Sequence, residues 1–301
     1  MGRKMARGEM LFRSFALSNI LIIAIVAVMV ILLGSEGVMI YIKEGVSFIS
    51  TSIWSGARES YGILFALGGS IITSIIAIII ALAIAIGSAV TLSELAPQSM
   101  RLFLSSLTDL SASIPTVIYG LWGLYILAPA VGWITREWIP ESVRSILGTP
   151  GSIGTSLLTA SILLSIMISP FATAMIREAL SSVPRSIDEA LYSLGLTRFE
   201  VVVLKLRYIR RAIATAMMIA YGRAVGETIA VSMVVGNVVN PEFWRILSPG
   251  YTISSLIADQ YQNAESYNYM VPAIFGAALV LFVIGVMINI YVTLITRGQR
   301  L

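Results

Sequence analysis

The sequence contains no cysteine and no histidine. Without thiols or imidazoles there are no disulfides, no Cys or His nucleophiles or bases, and none of the usual zinc sites. Charge is scarce as well. Asp, Glu, Lys and Arg make up 12% of the 301 residues, where a soluble domain carries roughly 25%. No paired carboxylates stand out, and no G-x-x-x-x-G-K-[ST] phosphate loop occurs. Ten-residue alternating strands of the membrane-barrel kind are also missing. The chain is therefore expected to be non-catalytic, with no cofactor or metal of its own. Any ATP that drives it must be hydrolysed on another chain.

What is present is hydrophobic residues, 57% of the total, gathered into runs long enough to cross a bilayer at about 20 helical residues each. The fold class is an all-α polytopic membrane protein with six transmembrane helices, expected at about 15–33, 62–90, 107–130, 156–176, 212–235 and 271–295. Residues 1–14 form a polar, basic N-terminus, followed by a retained anchor rather than a cleaved signal, because no small-x-small site follows promptly. Six spans place both termini on one side. Fourteen of the twenty Lys and Arg residues fall on that side, counting Arg101 and the loop 177–211; Lys43, Arg58, Arg136, Arg144 and Arg245 fall opposite. By the positive-inside rule, both termini and the 177–211 loop are cytoplasmic, in a cell (plasma or inner) membrane. The formal charge of +4 then reflects basic cytoplasmic loops in contact with membrane lipid, not a nucleic-acid partner.

The loop 177–211 has internal structure. Ser186 and Glu189 fit a capping box, in which each side chain satisfies an orphan backbone N–H. Ile187, Ala190, Leu191 and Leu194 follow at helical spacing on one face. Gly195 stands where a helix ends through a left-handed residue, and Thr197 with Glu200 opens a second capping box. The plain reading is a linker whose apolar stripe rests on its own protein or on lipid headgroups. The alternative is a short helix offered to a partner's groove.

Glu189-Ala190-Leu191, followed after three residues by Gly195, is similar to the EAA loop of ABC importer permeases. In that family the loop forms the coupling helix that sits in a cleft of the ATPase subunit. The resemblance thus implies that Ser186, Glu189, Ala190, Leu191 and Gly195 are the ATPase-coupling residues. The family's Ile-x-Leu-Pro element is replaced here by Lys205-Leu206-Arg207-Tyr208. Further blocks resemble the phosphate importer permeases, the PstC type more than the PstA type: Ser93 to Pro97, Ile114 to Leu124, and Gly222 to Val231 with Gly236-Asn237. This resemblance implies alternating access for inorganic phosphate. The implied partners are a second, PstA-like permease, two ATP-binding cassette ATPase subunits and an external phosphate-binding protein.

Arg223 and Glu227, four apart in the expected fifth span, would share a helix face and pair. Ionisable groups at membrane depth are costly and usually face a cavity or a partner. A packing ion pair is the plain reading. In the functional one, Arg223 meets the anion through its planar fork while Glu227 holds that fork. Gly222 and Gly226 would let another helix approach closely. Pro115 would kink the third span, with Asp109 near its start reaching water. For Tyr119 and Trp122 the residues favour core packing at the bend. The family resemblance adds a hinge at Pro115 and a place for Tyr119 in the pathway. An importer for sulfate, molybdate or tungstate stays open, as does a secondary transporter or channel, although no inverted repeat joins the two halves.

Overall fold

The computed structural model describes residues 2–297, with side chains described from 18 to 294. The basic side chains expected at the termini (Arg3, Lys4, Arg7, Arg13, Arg297 and Arg300) lie outside that range. The described chain is mostly helical. Among the described residues, five helical segments are long and apolar enough to span a membrane: Ser18–Glu44, Leu64–Leu95, Thr116–Trp138, Leu157–Ser181 and Met270–Leu294.

Helix α1 (Gly2–Glu44) runs well past the expected end of the first span, because nothing between Gly34 and Glu44 breaks it. It leans on α14 (Met270–Arg297). The two cross where a Cβ on Gly37 would stand 3.0 Å from the Gly276 nitrogen, and the Tyr41 hydroxyl donates to the Gly276 carbonyl at 2.9 Å. After the short α2 (Ser47–Ser50), a two-residue hairpin of β1 (Trp54–Ser55) and β2 (Ser60–Tyr61) pairs Trp54 with Tyr61. Phe48, Tyr61, Phe65, Tyr251 and Ile253 make a core at this end of the bundle.

Helices α3 (Leu64–Val90) and α8 (Leu157–Ser181) form the centre, with the most extensive helix–helix contact. Ala77, Ala81, Ala85 and Ala89 recur every fourth residue on α3 and are fully buried. Small side chains on one stripe let two helices approach where no water-driven force pushes them together. Ser161, Ser165, Ser169 and Thr173 on α8 donate to carbonyls three or four residues back, which keeps their hydroxyls satisfied in an apolar setting. A π-turn, Thr91–Leu95, ends α3.

Two expected spans are differently built. The third is not one kinked helix over 107–130. The chain stops at α4 (Gln98–Ser113), turns extended at Ile114 and Pro115, and restarts as α5 (Thr116–Trp122). A π-turn, Gly123–Leu127, then leads into α6 (Ala128–Trp138) and, beyond it, α7 (Glu141–Leu147). The missing N–H of Pro115 and its clash with the preceding turn disfavour a helical Ile114, so the bend becomes a break. The fifth span is likewise two pieces, α11 (Arg210–Gly226) and α12 (Ile229–Val234), with Glu227 extended between them (φ −68°, ψ 126°). Before them stand α9 (Arg185–Ser193) and α10 (Arg198–Tyr208). After them come α13 (Ile253–Gln260) and a 3-10 turn leading into α14.

Candidate functional site

The break between α11 and α12 is held by specific partners. Ser254 Oγ donates to the Glu227 carbonyl at 2.7 Å, Thr228 Oγ1 donates to the Gly226 carbonyl at 3.2 Å, and Glu227 Oε1 accepts from the Ala230 N–H at 3.4 Å. Irregular backbone at membrane depth survives only where such groups are satisfied by protein or by a wet cavity. Unwinding after Gly226 also undoes the i, i+4 register. The expected Arg223–Glu227 pair is not formed, and among the described residues no ion pair involves Arg223. Arg223 is exposed within this chain, at the last turn of α11, while Glu227 is half-buried and turned to α12. Arg223 does lie within electrostatic reach of Tyr119.

Tyr119 spans the other break. Its hydroxyl donates to the Ser111 carbonyl at 2.8 Å, supplying a partner to one of the last carbonyls of α4. The helices that follow the two breaks, α5 and α12, pack on each other. Their contact depends on Gly120, where a Cβ would stand 2.5 Å from Met233 Sδ and 3.1 Å from the Ala230 Cα. The packing role expected of Gly222 and Gly226 is not met within the chain: Gly222 makes an ordinary 3.7 Å contact with Ile288, and Gly226 has nothing within 4 Å. Trp122 is not core either, being 39% exposed. Asp109 lies on α4, outside the third span, and pairs with Arg177 Nη2 at 3.2 Å.

At the far end of the bundle, α9 has no buried residue. Its N-cap is Pro184, with no side-chain cap, so the Ser186–Glu189 box is not formed. Pro184 sets the entry two residues early, which puts Ser186 inside the first turn, where its hydroxyl cannot cap. The expected stripe divides as well: Ile187 packs on a buried cluster, while Leu194 is 77% exposed. Gly195 sits at φ +79°, the left-handed geometry that ends a helix. The Thr197–Glu200 box is complete, and its hydrogen bonds to Thr197 hold the Glu200 carboxyl below the usual glutamate range.

Lys205 is the unforeseen residue. It is 5% exposed, and its Nζ donates to Glu94 Oε1 at 2.7 Å and Asp188 Oδ2 at 3.1 Å. One ammonium thus ties the π-turn after α3, the helix α9 and its own helix α10 together. Arg198 adds a hydrogen bond to the Glu94 carbonyl. Burial alone would push the Lys205 pKa down; the hydrogen bonds and charges of Glu94 and Asp188 outweigh it and hold the ammonium above the ordinary lysine value. The visible hint was a lone lysine between Val201-Val202-Val203-Leu204 and Leu206. Among the described residues, no group of acidic side chains is arranged to hold a metal ion.

Residues 83–301 match the family described as binding-protein-dependent transport system inner membrane component. A probable phosphate transport system permease protein PstC from Methanocaldococcus jannaschii is 39% identical over 254 residues, covering 82% of this chain and 80% of that protein. PstC 2 from Mycobacterium tuberculosis is 31% identical over 308 residues, covering 99% and 94%. Among solved structures, a chain of a bacterial alginate ABC transporter bound to its periplasmic protein aligns over 95% of this chain and 96% of its own (TM-score 0.58, 16% identity). One from an inward-facing MetNI methionine ABC transporter aligns over 76% and 92% (TM-score 0.55, 17% identity).

Proposed function

This chain belongs to the family of binding-protein-dependent transport system inner membrane components, and on that premise we propose that it is a permease subunit of an ATP-driven importer that passes inorganic phosphate by alternating access. The observation that carries the reading is Arg223: a guanidinium in no ion pair among the described residues, at the end of α11 where the chain breaks before α12, which packs on α5 next to the break that Tyr119 bridges. Such an arginine offers a phosphate oxygen pair two parallel hydrogen bonds. Glu227, one turn on in sequence and engaged with the Ala230 N–H, keeps negative charge close by, so the ion is held briefly and released. Names carried by similar proteins supply the substrate.

In this reading α9 is the coupling helix. It offers Glu189, Tyr192 and Leu194 outward, all exposed, to one of two ATPase subunits. Closure of the ATPases pushes α9, and Lys205 passes that displacement to the end of α3 through Glu94. A related permease completes the pathway across from Arg223, and an external phosphate-binding protein delivers the ion to the opposite end of the bundle. Both termini and α9 then face the cytoplasm, in keeping with the basic residues on that side. This chain performs no hydrolysis itself.

Co-expression with the candidate ATPase and second permease tests the reading. The expected result is a co-purifying complex whose ATP hydrolysis rises when the binding protein is loaded with phosphate. A chain that binds no ATPase, or a complex stimulated by loaded sulfate-binding protein and not by phosphate, sinks it.

A further inference from the structure

On the side of α9 turned toward the body of the protein lies a half-open cavity of about 470 Å³. Its walls come from the π-turn after α3, the first turn of α4, the end of α8 and the start of α9, and include Ser93, Arg101, Arg177, Arg185 and Asp188. Three buried polar atoms of these residues have no hydrogen-bond partner: Ser93 Oγ, Arg177 Nη1 and Asp188 Oδ1. Orphans of this kind are uncommon and cost about 1–3 kcal/mol each when nothing meets them.

The cations around the cavity are not equally engaged. Lys205 is committed to Glu94 and Asp188. Arg177 uses Nη2 on Asp109 and leaves Nη1 free. Arg101 makes a single 3.5 Å bond to the Ala96 carbonyl. Of the carboxylates, Glu94 and one oxygen of Asp188 are taken by Lys205, and Glu178 is exposed. Two arginines and a serine from three elements therefore line one space together with Asp188, whose Oδ1 is left without a partner.

We propose that this cavity is a site for a phosphate group that also carries a hydrogen-bond donor. Arginine forks and a serine hydroxyl take the phosphate oxygens. Asp188 Oδ1 takes the proton of a P–O–H, or the hydroxyl of a glycerol headgroup. Two sources fit this chemistry. One is inorganic phosphate on the side where α9 stands. The other is an anionic phospholipid, since the site lies at the ends of two spanning helices and Leu102, on the same wall, is 78% exposed. An occupant would tie α9 to α4 and α8 through Asp188, Arg101 and Arg177, and so restrain the helix. The effect of that restraint on transport rests on α9 being the coupling helix; the binding itself does not.

The test uses full-length protein in phospholipid-free dodecyl maltoside, modified with an arginine-specific dicarbonyl and followed by peptide mass spectrometry. Millimolar inorganic phosphate should slow modification at Arg101 and Arg177 severalfold, more than sulfate, which has no proton to give Asp188, and should leave Arg210 on α11 unchanged. Protection by dioleoylphosphatidylglycerol alone assigns the site to the headgroup. The variant Arg101→Gln, which loses only a long bond to Ala96, should fold normally and show no protection at Arg177. Equal protection by sulfate, uniform slowing that includes Arg210, or no protection from either source overturns the proposal. These outcomes are independent of uptake measured with Arg223 variants, so failure here leaves the transport reading standing.

Discussion

Replacing Lys205 by methionine removes the ammonium and keeps a stem of similar length, so the change isolates the charge. The lysine side chain is 6% exposed, against 20% for Glu94 and 32% for Asp188. Breaking a buried ion pair from one side costs about 3–5 kcal/mol, because the remaining charge is left uncompensated. Here water reaches both carboxylates in part, which lowers the expected loss to about 2–3 kcal/mol. Neutralising those carboxylates in the same chain (Lys205→Met, Glu94→Gln, Asp188→Asn) should restore more than half of it. The assay is chemical unfolding in detergent, with uptake per ATP hydrolysed in the complex as the second readout. Coupling should fall in the single variant even where the complex still forms, because α9 is no longer tied to α3. The pH dependence has a definite sign. A pKa raised on folding means that the contribution is complete below the unfolded lysine value of about 10.4 and is lost as pH climbs through the higher folded one. A Lys205→Met chain within about 0.5 kcal/mol of the parent, the usual range for an inert surface change, and with normal coupling, would refute the reasoning.

The two capping boxes make a paired prediction: Thr197→Ala should cost about 1 kcal/mol of stability, while Ser186→Ala should be silent, both read by chemical unfolding. Glu200 adds a pH effect of the opposite sign to Lys205: its folded pKa is lowered, so its contribution is present above the ordinary glutamate range and lost as pH falls through the depressed folded value. That loss on acidification should be missing from Thr197→Ala. The glycines divide similarly. Gly120→Val should destabilise by about 1–3 kcal/mol through overpacking against Met233 and Ala230. Gly226→Leu, with open space around it, should leave the isolated chain's unfolding unchanged but weaken co-purification with a second permease.

What the sequence made legible was local. The left-handed Gly195 and the Thr197 box are each settled by residues within one helical turn, and both formed. Ser186–Glu189 has the same pattern as Thr197–Glu200, yet Pro184 moved the helix start and took the cap position. The Arg223–Glu227 pair depended on an unbroken helix, and the hydrophobic run Ala212 to Val235 hides a break after Gly226 that is held by Ser254, 27 residues beyond Glu227. The third span was misplaced because α4 carries exposed apolar residues such as Leu107 and Leu110, which read as membrane-spanning. The Lys205 knot showed in the sequence only as a lone lysine in an apolar run, with nothing to name its partners: Glu94 lies 111 residues away, and only packing joins them.

The central claim, that Arg223 meets the transported anion, is tested most directly by phosphate uptake into proteoliposomes holding the complete complex with Arg223→Lys. A lysine keeps the charge but gives up one of two parallel, charge-assisted hydrogen bonds, worth about 1.5–3 kcal/mol. Uptake should therefore fall roughly tenfold or more, with the complex intact and its ATPase still active. Uptake equal to the parent from an intact complex would contradict the account and leave Arg223 a packing residue.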